Sequence, residues 1–261
     1  MNRHFMLAMM VLWSWTAIAE DIPLACQDML REIGAPRYMG PPPEHRILCR
    51  RGFVLSYNPQ RKTPDWVVER LTPERLSGPV RDRGRFVADP DLAAAGQPHA
   101  MPADYARQSR FDRGHMAPGE DMRWDETALR QSFYLSNVVP QVGVGLNRGA
   151  WRTIEIRIRR WAARREAMVV ITGPIYGAEP ETIGPGAIAV PDGFFKIVYD
   201  PARDEALAFR LPNRAVGGAH FSAYQVAVRE IEAATGLDFF ALLAPESQDR
   251  IESPVTALWP N

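Results

Sequence analysis

Phe111-Asp112-Arg113-Gly114-His115-Met116-Ala117-Pro118 sets one histidine three residues after a carboxylate and two after a guanidinium. Imidazole is the side chain whose ordinary pKa suits proton transfer near neutral pH, which makes His115 a candidate general base. Taken alone, the octapeptide fits a hydrogen-bonded structural histidine at least as well. The flanking sequence has to decide. Upstream, residues 72–110 are rich in Pro, Gly, Arg and Asp and read as a long irregular loop, a kind of segment that tends to be functional inside a compact domain. Downstream, Ser136-Asn137-Val138-Val139-Pro140-Gln141 and then Leu146-Asn147-Arg148-Gly149-Ala150-Trp151 lead into the best helical pattern of the chain, over 148–165.

In that helix Trp151, Ile154, Ile158 and Trp161 recur at i, i+3, i+7 and i+10 and make one apolar face. At about 100° per residue, Asn147 and Glu155 would lie about 80° apart with Arg159 about 40° further on, lining one flank with an amide, a carboxylate and a guanidinium. The plainer alternative is a Glu155–Arg159 surface salt bridge of ~0.3–0.5 kcal/mol, with Asn147 as an N-cap. Arginines at 148, 152, 157, 159, 160, 164 and 165 face one glutamate within the window. Such a patch could contact phosphates, and a solvated helix face accounts for four or five of the seven.

Further out, 47–57 and 66–71 alternate as strands, as do 168–172 (ended by Gly173-Pro174), 194–199 and 206–211, while 224–234 reads as a helix stopped at Thr235-Gly236. Neither a repeat nor a composition break is visible, so the expectation is a single α+β domain with a central antiparallel or mixed sheet. The length of 261 residues, with 46% apolar and 24% charged, excludes fibrous and largely disordered classes. With 31 basic and 31 acidic residues there is no global field for nucleic acid or membrane, so any polyanion must be met by a local patch. Only Lys62 and Lys196 are lysines, leaving 31 − 2 = 29 arginines. Arginine suits bidentate phosphate contacts, although coding bias explains most of them equally well.

Residues 1–4 carry a positive charge, 5–18 are apolar, and Ala17-Ile18-Ala19 has the small-x-small form of a cleavage site. Residues 1–19 therefore read as a secretory signal peptide, with an uncleaved anchor as the alternative. Export to the periplasm or medium, without stable membrane association after cleavage, is expected. The two cysteines, Cys26 and Cys49, would then form a disulfide within the amino-terminal segment 20–49. Zinc chemistry is poorly supported, because His45, His99, His115 and His220 show no ligand pairing.

Together, Asp112 to Pro118, Phe133-Tyr134-Leu135-Ser136-Asn137 with Pro140-Gln141, and Leu146-Asn147 to Trp151 with Glu155 resemble the DNA/RNA non-specific endonuclease family. These are the ββα-metal (His-Me finger) nucleases, which include the endonuclease G type. The likeness extends through Leu55-Ser56-Tyr57, Trp66-Val67-Val68-Glu69, Thr172-Gly173-Pro174-Ile175-Tyr176 and Thr235-Gly236-Leu237, about residues 50–245. It implies an α+β nuclease domain over 50–261, with a mostly antiparallel sheet flanked by helices around a ββα-metal motif. By the resemblance, Asn147 would be the direct ligand of one hydrated Mg²⁺, with Mn²⁺ as a substitute, and His115 would deprotonate the attacking water, giving 5′-phosphate ends. Glu155 would hold metal-bound waters, Arg113 and Arg159 would neutralise phosphate oxygens, Asp112 would fix the loop of His115, and Asn137 would orient the histidine or metal surroundings. Arg148, Arg152 and an upstream arginine, Arg85 rather than Arg83, would contact the DNA or RNA substrate. The span from Asn137 to Asn147 is ten residues, one more than the family commonly has, which places an extra residue in Val142-Gly143-Val144-Gly145. No recognition helix or finger pattern is present, so contacts would be to the backbone and non-specific. A catalytically silent nucleic-acid-binding relative is the competing expectation, and it would be expected to lose His115, Asn147 or Glu155. Relatives are often dimers, and the carboxyl terminus, 254–260, offers either an interface or packing on its own domain.

Overall fold

The computed structural model describes residues 22–81, 84–106, 110–216 and 221–260. The expected signal peptide, Arg83 and His220 lie outside these described residues. The body is a seven-stranded sheet: β1 (Arg46–Cys49), β2 (Phe53–Asn58), β3 (Thr63–Leu71), β4 (Met168–Ile175), β5 (Gly193–Asp200), β6 (Glu205–Pro212) and β7 (Gln225–Val226). Spatial order follows chain order from one edge to the other, and every neighbouring pair is antiparallel. The sheet is thus a meander interrupted once. Between β3 and β4, residues 72–167 leave it and return to the adjacent position, and this excursion carries all the motifs around His115.

The strands are apolar on both sides because both faces are covered. One face meets Trp151, Ile154, Ile158 and Trp161 of the helix Arg152–Ala162, together with the excursion. The other meets the helices Leu24–Leu30, Val228–Thr235 and Pro245–Glu252. Cys26 of the first of these helices is bonded to Cys49 of the edge strand β1. Closing that loop contributes ~3 kcal/mol on a chain-entropy argument. Because β1 belongs to the same sheet as the later strands, the amino-terminal segment is part of one body with the rest.

Several expected boundaries move for identifiable reasons. The single strand expected over 47–57 is a hairpin, β1 and β2, folded at Arg50-Arg51-Gly52, where Arg50 N–H donates to the Phe53 carbonyl at 2.8 Å. β4 runs past Gly173-Pro174 to Ile175. Pro174 is tolerated there because the ladder with β3 has ended at Thr172, leaving the proline paired on one side only. The helix expected over 224–234 begins at Val228, since Gln225–Val226 joins the sheet, and a further helix, Pro245–Glu252, follows it. The loop 72–110 holds short helices at Pro73–Leu76 and Pro90–Ala94.

The helix expected from 148 is regular only over Arg152–Ala162 and is preceded by a wide, kinked turn, Gly143–Trp151. Asn147 sits in that turn, so the helical-wheel placement of Asn147 beside Glu155 does not apply. Gly145 has φ +85°, a left-handed conformation that glycine adopts without strain, and it shapes this turn. The carboxyl terminus packs on its own domain: Trp161 Nε1 donates to the Trp259 carbonyl at 3.1 Å, and the Arg165 guanidinium lies 4.0 Å from the Trp259 ring centre.

Candidate active site

Phe111–His115 and Val138–Val142 form an antiparallel hairpin, with His115 opposite Val138 and Asp112 opposite Gln141. The wide turn and the helix Arg152–Ala162 follow directly, so the local architecture is two strands and a helix. Gly114 is required by close approach, because a Cβ there would come within 2.3 Å of Gln141 Oε1.

Asn137 is fully buried, and both hydrogens of its amide and the amide oxygen are engaged. Its Oδ1 accepts from Ala117 N–H, and its Nδ2 donates to the carbonyls of Ala117 and Ser132, each at 2.9 Å. Its carbonyl also accepts from Met116 N–H at 2.9 Å. The amide therefore staples the chain just beyond His115 and does not itself face the cleft.

Asp112 reaches across to the wide turn. Its Oδ2 accepts from Asn147 Nδ2 at 2.9 Å and from Arg148 Nε at 3.0 Å. A carboxylate can only accept, so the Asn147 amide is fixed with nitrogen toward Asp112, and its carbonyl oxygen has no hydrogen-bond partner among the described residues. A partly buried, pre-oriented amide oxygen suits a hard divalent cation, and the carboxylate behind it is the usual means of aiming such a ligand. On this observation the residues present fit one metal ion held at Asn147.

His115 lies between aromatic rings, its centroid 4.8 Å from Phe133 and 5.0 Å from Phe86. Burial alone pushes its pKa down to about 4, so the imidazole is neutral at pH 7. Arg113 lies over Phe86 and Tyr105, at 5.4 and 5.6 Å from their centres. Arg85 is exposed beside Phe86.

Glu155, in the first turn of the helix, has its pKa raised to about 7. Burial is the largest cause and the Asp121 carboxylate adds to it, while Lys196 and Arg159 oppose it. Arg159 does not pair with Glu155 as the surface alternative supposed. Its Nη1 lies 3.0 Å from Asp121 Oδ1, a buried carboxylate whose own pKa is raised by burial. Lys196 on β5 is buried, donates from Nζ to Thr172 Oγ1 at 2.7 Å and stands 5.0 Å from the Trp151 ring centre. Glu69 on β3 faces the same side and is raised well above the ordinary carboxylate range, chiefly by burial.

Asp121, Lys196 and Glu69 were missed in the sequence. A lysine within the otherwise apolar stretch 194–199, in a chain with only two lysines, was the available signal. The arginine patch is largely committed: Arg148 to Asp112, Arg157 over Phe221, Arg159 to Asp121, and Arg165 to Asp200 and Glu205. Arg152, Arg160 and Arg164 remain exposed.

A family profile described as DNA/RNA non-specific endonuclease matches residues 37–246. The chain is 32% identical over 233 residues to a mitochondrial nuclease of Saccharomyces cerevisiae, covering 81% of this chain and 70% of that protein. It is 37% identical over 210 residues to mitochondrial endonuclease G of Caenorhabditis elegans, covering 75% and 68% respectively. A crystal structure of an EndoG/EndoGI complex, described as showing the mechanism of EndoG inhibition, superposes with a TM-score of 0.75 at 29% identity, over 86% of this chain and 95% of the matched one.

Proposed function

The chain belongs to the DNA/RNA non-specific endonuclease family and is a metal-dependent nuclease, and from that premise we propose an exported enzyme that cuts DNA and RNA with one Mg²⁺ at Asn147 and His115 as general base, leaving 5′-phosphate ends. The observation that carries this reading is the Asp112 clamp, which turns the Asn147 nitrogen toward Asp112 and leaves its oxygen, unpartnered among the described residues, to serve as a ligand atom. When bound, the ion supplies positive charge at the scissile phosphate and the departing 3′ oxygen, and Mn²⁺ would substitute for it.

The other roles belong to the protein. His115, neutral at pH 7, accepts a proton from the attacking water. Glu155 accepts hydrogen bonds from water in the cleft, and its charge is adjusted by Lys196 and Asp121. Arg113 and Arg159 offer guanidinium groups to phosphate oxygens as charge develops, Arg159 being held in place by Asp121. Arg85, Arg148 and Arg152 contact the flanking backbone, where binding carries no sequence information. Asn137 keeps His115 at the mouth of the hairpin. A silent binding protein is disfavoured because His115, Asn147 and Glu155 are all retained. Export is supported by the bond between Cys26 and Cys49, which suits an oxidising compartment.

The test is cleavage of supercoiled plasmid and total RNA by the chain from Glu20 to Asn261, with Mg²⁺, with Mn²⁺ and with excess chelator. Cutting of both substrates that chelator abolishes is expected. Cutting that chelator leaves intact, or none with either metal, overturns the proposal.

A further inference from the structure

Arginine is seldom buried, because its guanidinium must be stripped of water and every charge there has to be met. Arg50, in the turn between β1 and β2, has only 4% of its side chain exposed and reaches Asp89, whose side chain is wholly buried. Its Nη2 lies 2.5 Å from Asp89 Oδ2, its Nη1 2.5 Å from Asp91 Oδ2, and its guanidinium carbon 5.4 Å from the Tyr134 ring centre. Asp89 holds two further partners. Its Oδ1 accepts from Asp91 N–H at 3.0 Å, capping the short helix Pro90–Ala94, and its Oδ2 accepts from the hydroxyl of the buried Ser136. The two links of this line join residues 39 and 47 positions apart. A buried ion pair adds little net stability over hydrocarbon of the same volume. What it supplies is direction, since a planar guanidinium and an ionised acceptor fix each other's orientation.

The line ends where direction matters. Ser136 directly precedes Asn137, which holds Met116 and Ala117, the two residues after His115, through its side chain and its carbonyl. The chain leading to Asp89 runs beside the chain leading to Ser136: Val87 N–H donates to the Phe133 carbonyl at 3.2 Å, and Leu135 N–H to the Val87 carbonyl at 2.9 Å. We propose that Arg50 and Asp89 are positioning residues for the nuclease reaction: the pair fixes Ser136 and, through Asn137, sets where the His115 imidazole stands in the cleft. Displacing a reacting group by about 1 Å can cost ~10²-fold in rate, so a contact far from the chemistry is felt in kcat.

The inference rests on His115 being the base, and its test reads the geometry apart from the chemistry. Ser136→Ala leaves the ion pair and the helix cap intact and cuts only the last link. Arg50→Met/Asp89→Asn removes both charges together, so that neither is left buried alone, and keeps a capping side chain. In each variant of the chain from Glu20 to Asn261, kcat on plasmid with Mg²⁺ is expected to fall roughly five- to fiftyfold at unchanged KM, with Tm still well above the assay temperature. All three substitutions together should cost no more than the worse of the two variants, because they break one line. Amide hydrogen exchange, followed by NMR without metal, gives a reading independent of activity. Met116 and Ala117 N–H, both held by Asn137, should exchange about tenfold faster or more in Ser136→Ala, while Val170 and Ile197 in the sheet keep wild-type rates. Wild-type exchange at Met116 and Ala117, wild-type kcat, or exchange that quickens equally throughout the protein overturns the proposal. His115→Ala, assayed beside them, tests the base alone: full activity there removes the base assignment, and the exchange rates still decide whether the line holds the strand.

Discussion

Both faces of the central sheet are apolar, and they differ at its three middle strands, where only one face carries buried charge. On β3, β4 and β5, Val68, Ile171 and Phe195 point to the disulfide side, where they pack with Cys26, Trp66, Phe239 and Phe240. One residue along each strand, Glu69, Thr172 and Lys196 point to the site side, beneath the helix that bears Glu155 and Arg159. Burying unpaired or imperfectly paired charge costs several kcal/mol per group, whereas burying hydrocarbon stabilises by ~25 cal/mol per Å². Both faces therefore supply stability, and the site face gives some of its share up to set the charge of its acids.

The largest test of that contrast is a pair of substitutions. His115→Ala on the site side is expected to lower kcat by roughly 10²–10⁴ with little change in Tm, since the ring leaves a partly exposed position. Phe195→Ala, fully buried on the other side, is expected to cost ~3–5 kcal/mol and about 6–20 °C in Tm, with near-normal kcat at 25 °C. Calorimetry and plasmid assays on both proteins check this. Loss of Tm in the first or of kcat in the second would dissolve the division of labour.

Next in size is Lys196→Met. Glu155 has a folded pKa of about 7 against an ordinary 4.5, and Lys196 is the leading influence that holds it from rising further. Removing the ammonium raises it, so at pH 7 less Glu155 is ionised. Activity should fall by about tenfold or less at pH 7 and recover toward wild type near pH 9, the acid limb of the kcat/KM profile having moved to higher pH. An unmoved acid limb would show that Lys196 is only a packing residue.

The motif around His115 was legible because its chemistry is concentrated in short, spaced words, and the meander strands were legible from their β-branched and aromatic runs. What could not be read depended on long-range pairing. The break of 47–57 into a hairpin turns on Arg50-Arg51-Gly52 folding back, and Gly173-Pro174 looks like a strand end until one knows that β3 has already stopped pairing at Thr172. Asn147 fits a helical wheel by spacing alone, yet Gly143, Gly145 and Gly149 let the chain form a wide turn instead. Asp121 and Glu69 carry no local signal, for their roles come from which face of which element they occupy. The Arg159–Asp121 pair crosses 38 positions, beyond any i, i+4 rule.

The smallest expected effect returns to the disulfide side, where one cluster breaks the apolar rule. Glu252 is buried against Glu232 and Asp238. Its Oε2 lies 3.3 Å from Arg229 Nη2, while its Oε1 has no hydrogen-bond partner among the described residues. Burial and then Glu232 raise its pKa to about 7, with Arg229 opposing. A carboxyl whose folded pKa exceeds its unfolded value of 4.5 binds its proton more tightly when folded. It contributes most below pH 4.5, and that contribution is lost as pH rises through 7. Glu252→Gln imitates the protonated form at every pH. It should leave Tm nearly unchanged at pH 5 and raise it by about 1–3 °C at pH 8, without altering kcat. Thermal melts of both proteins across that range decide the matter: if the wild type and Glu252→Gln show the same slope of Tm against pH, this cluster does not titrate in the folded protein, and Arg229 neutralises it fully.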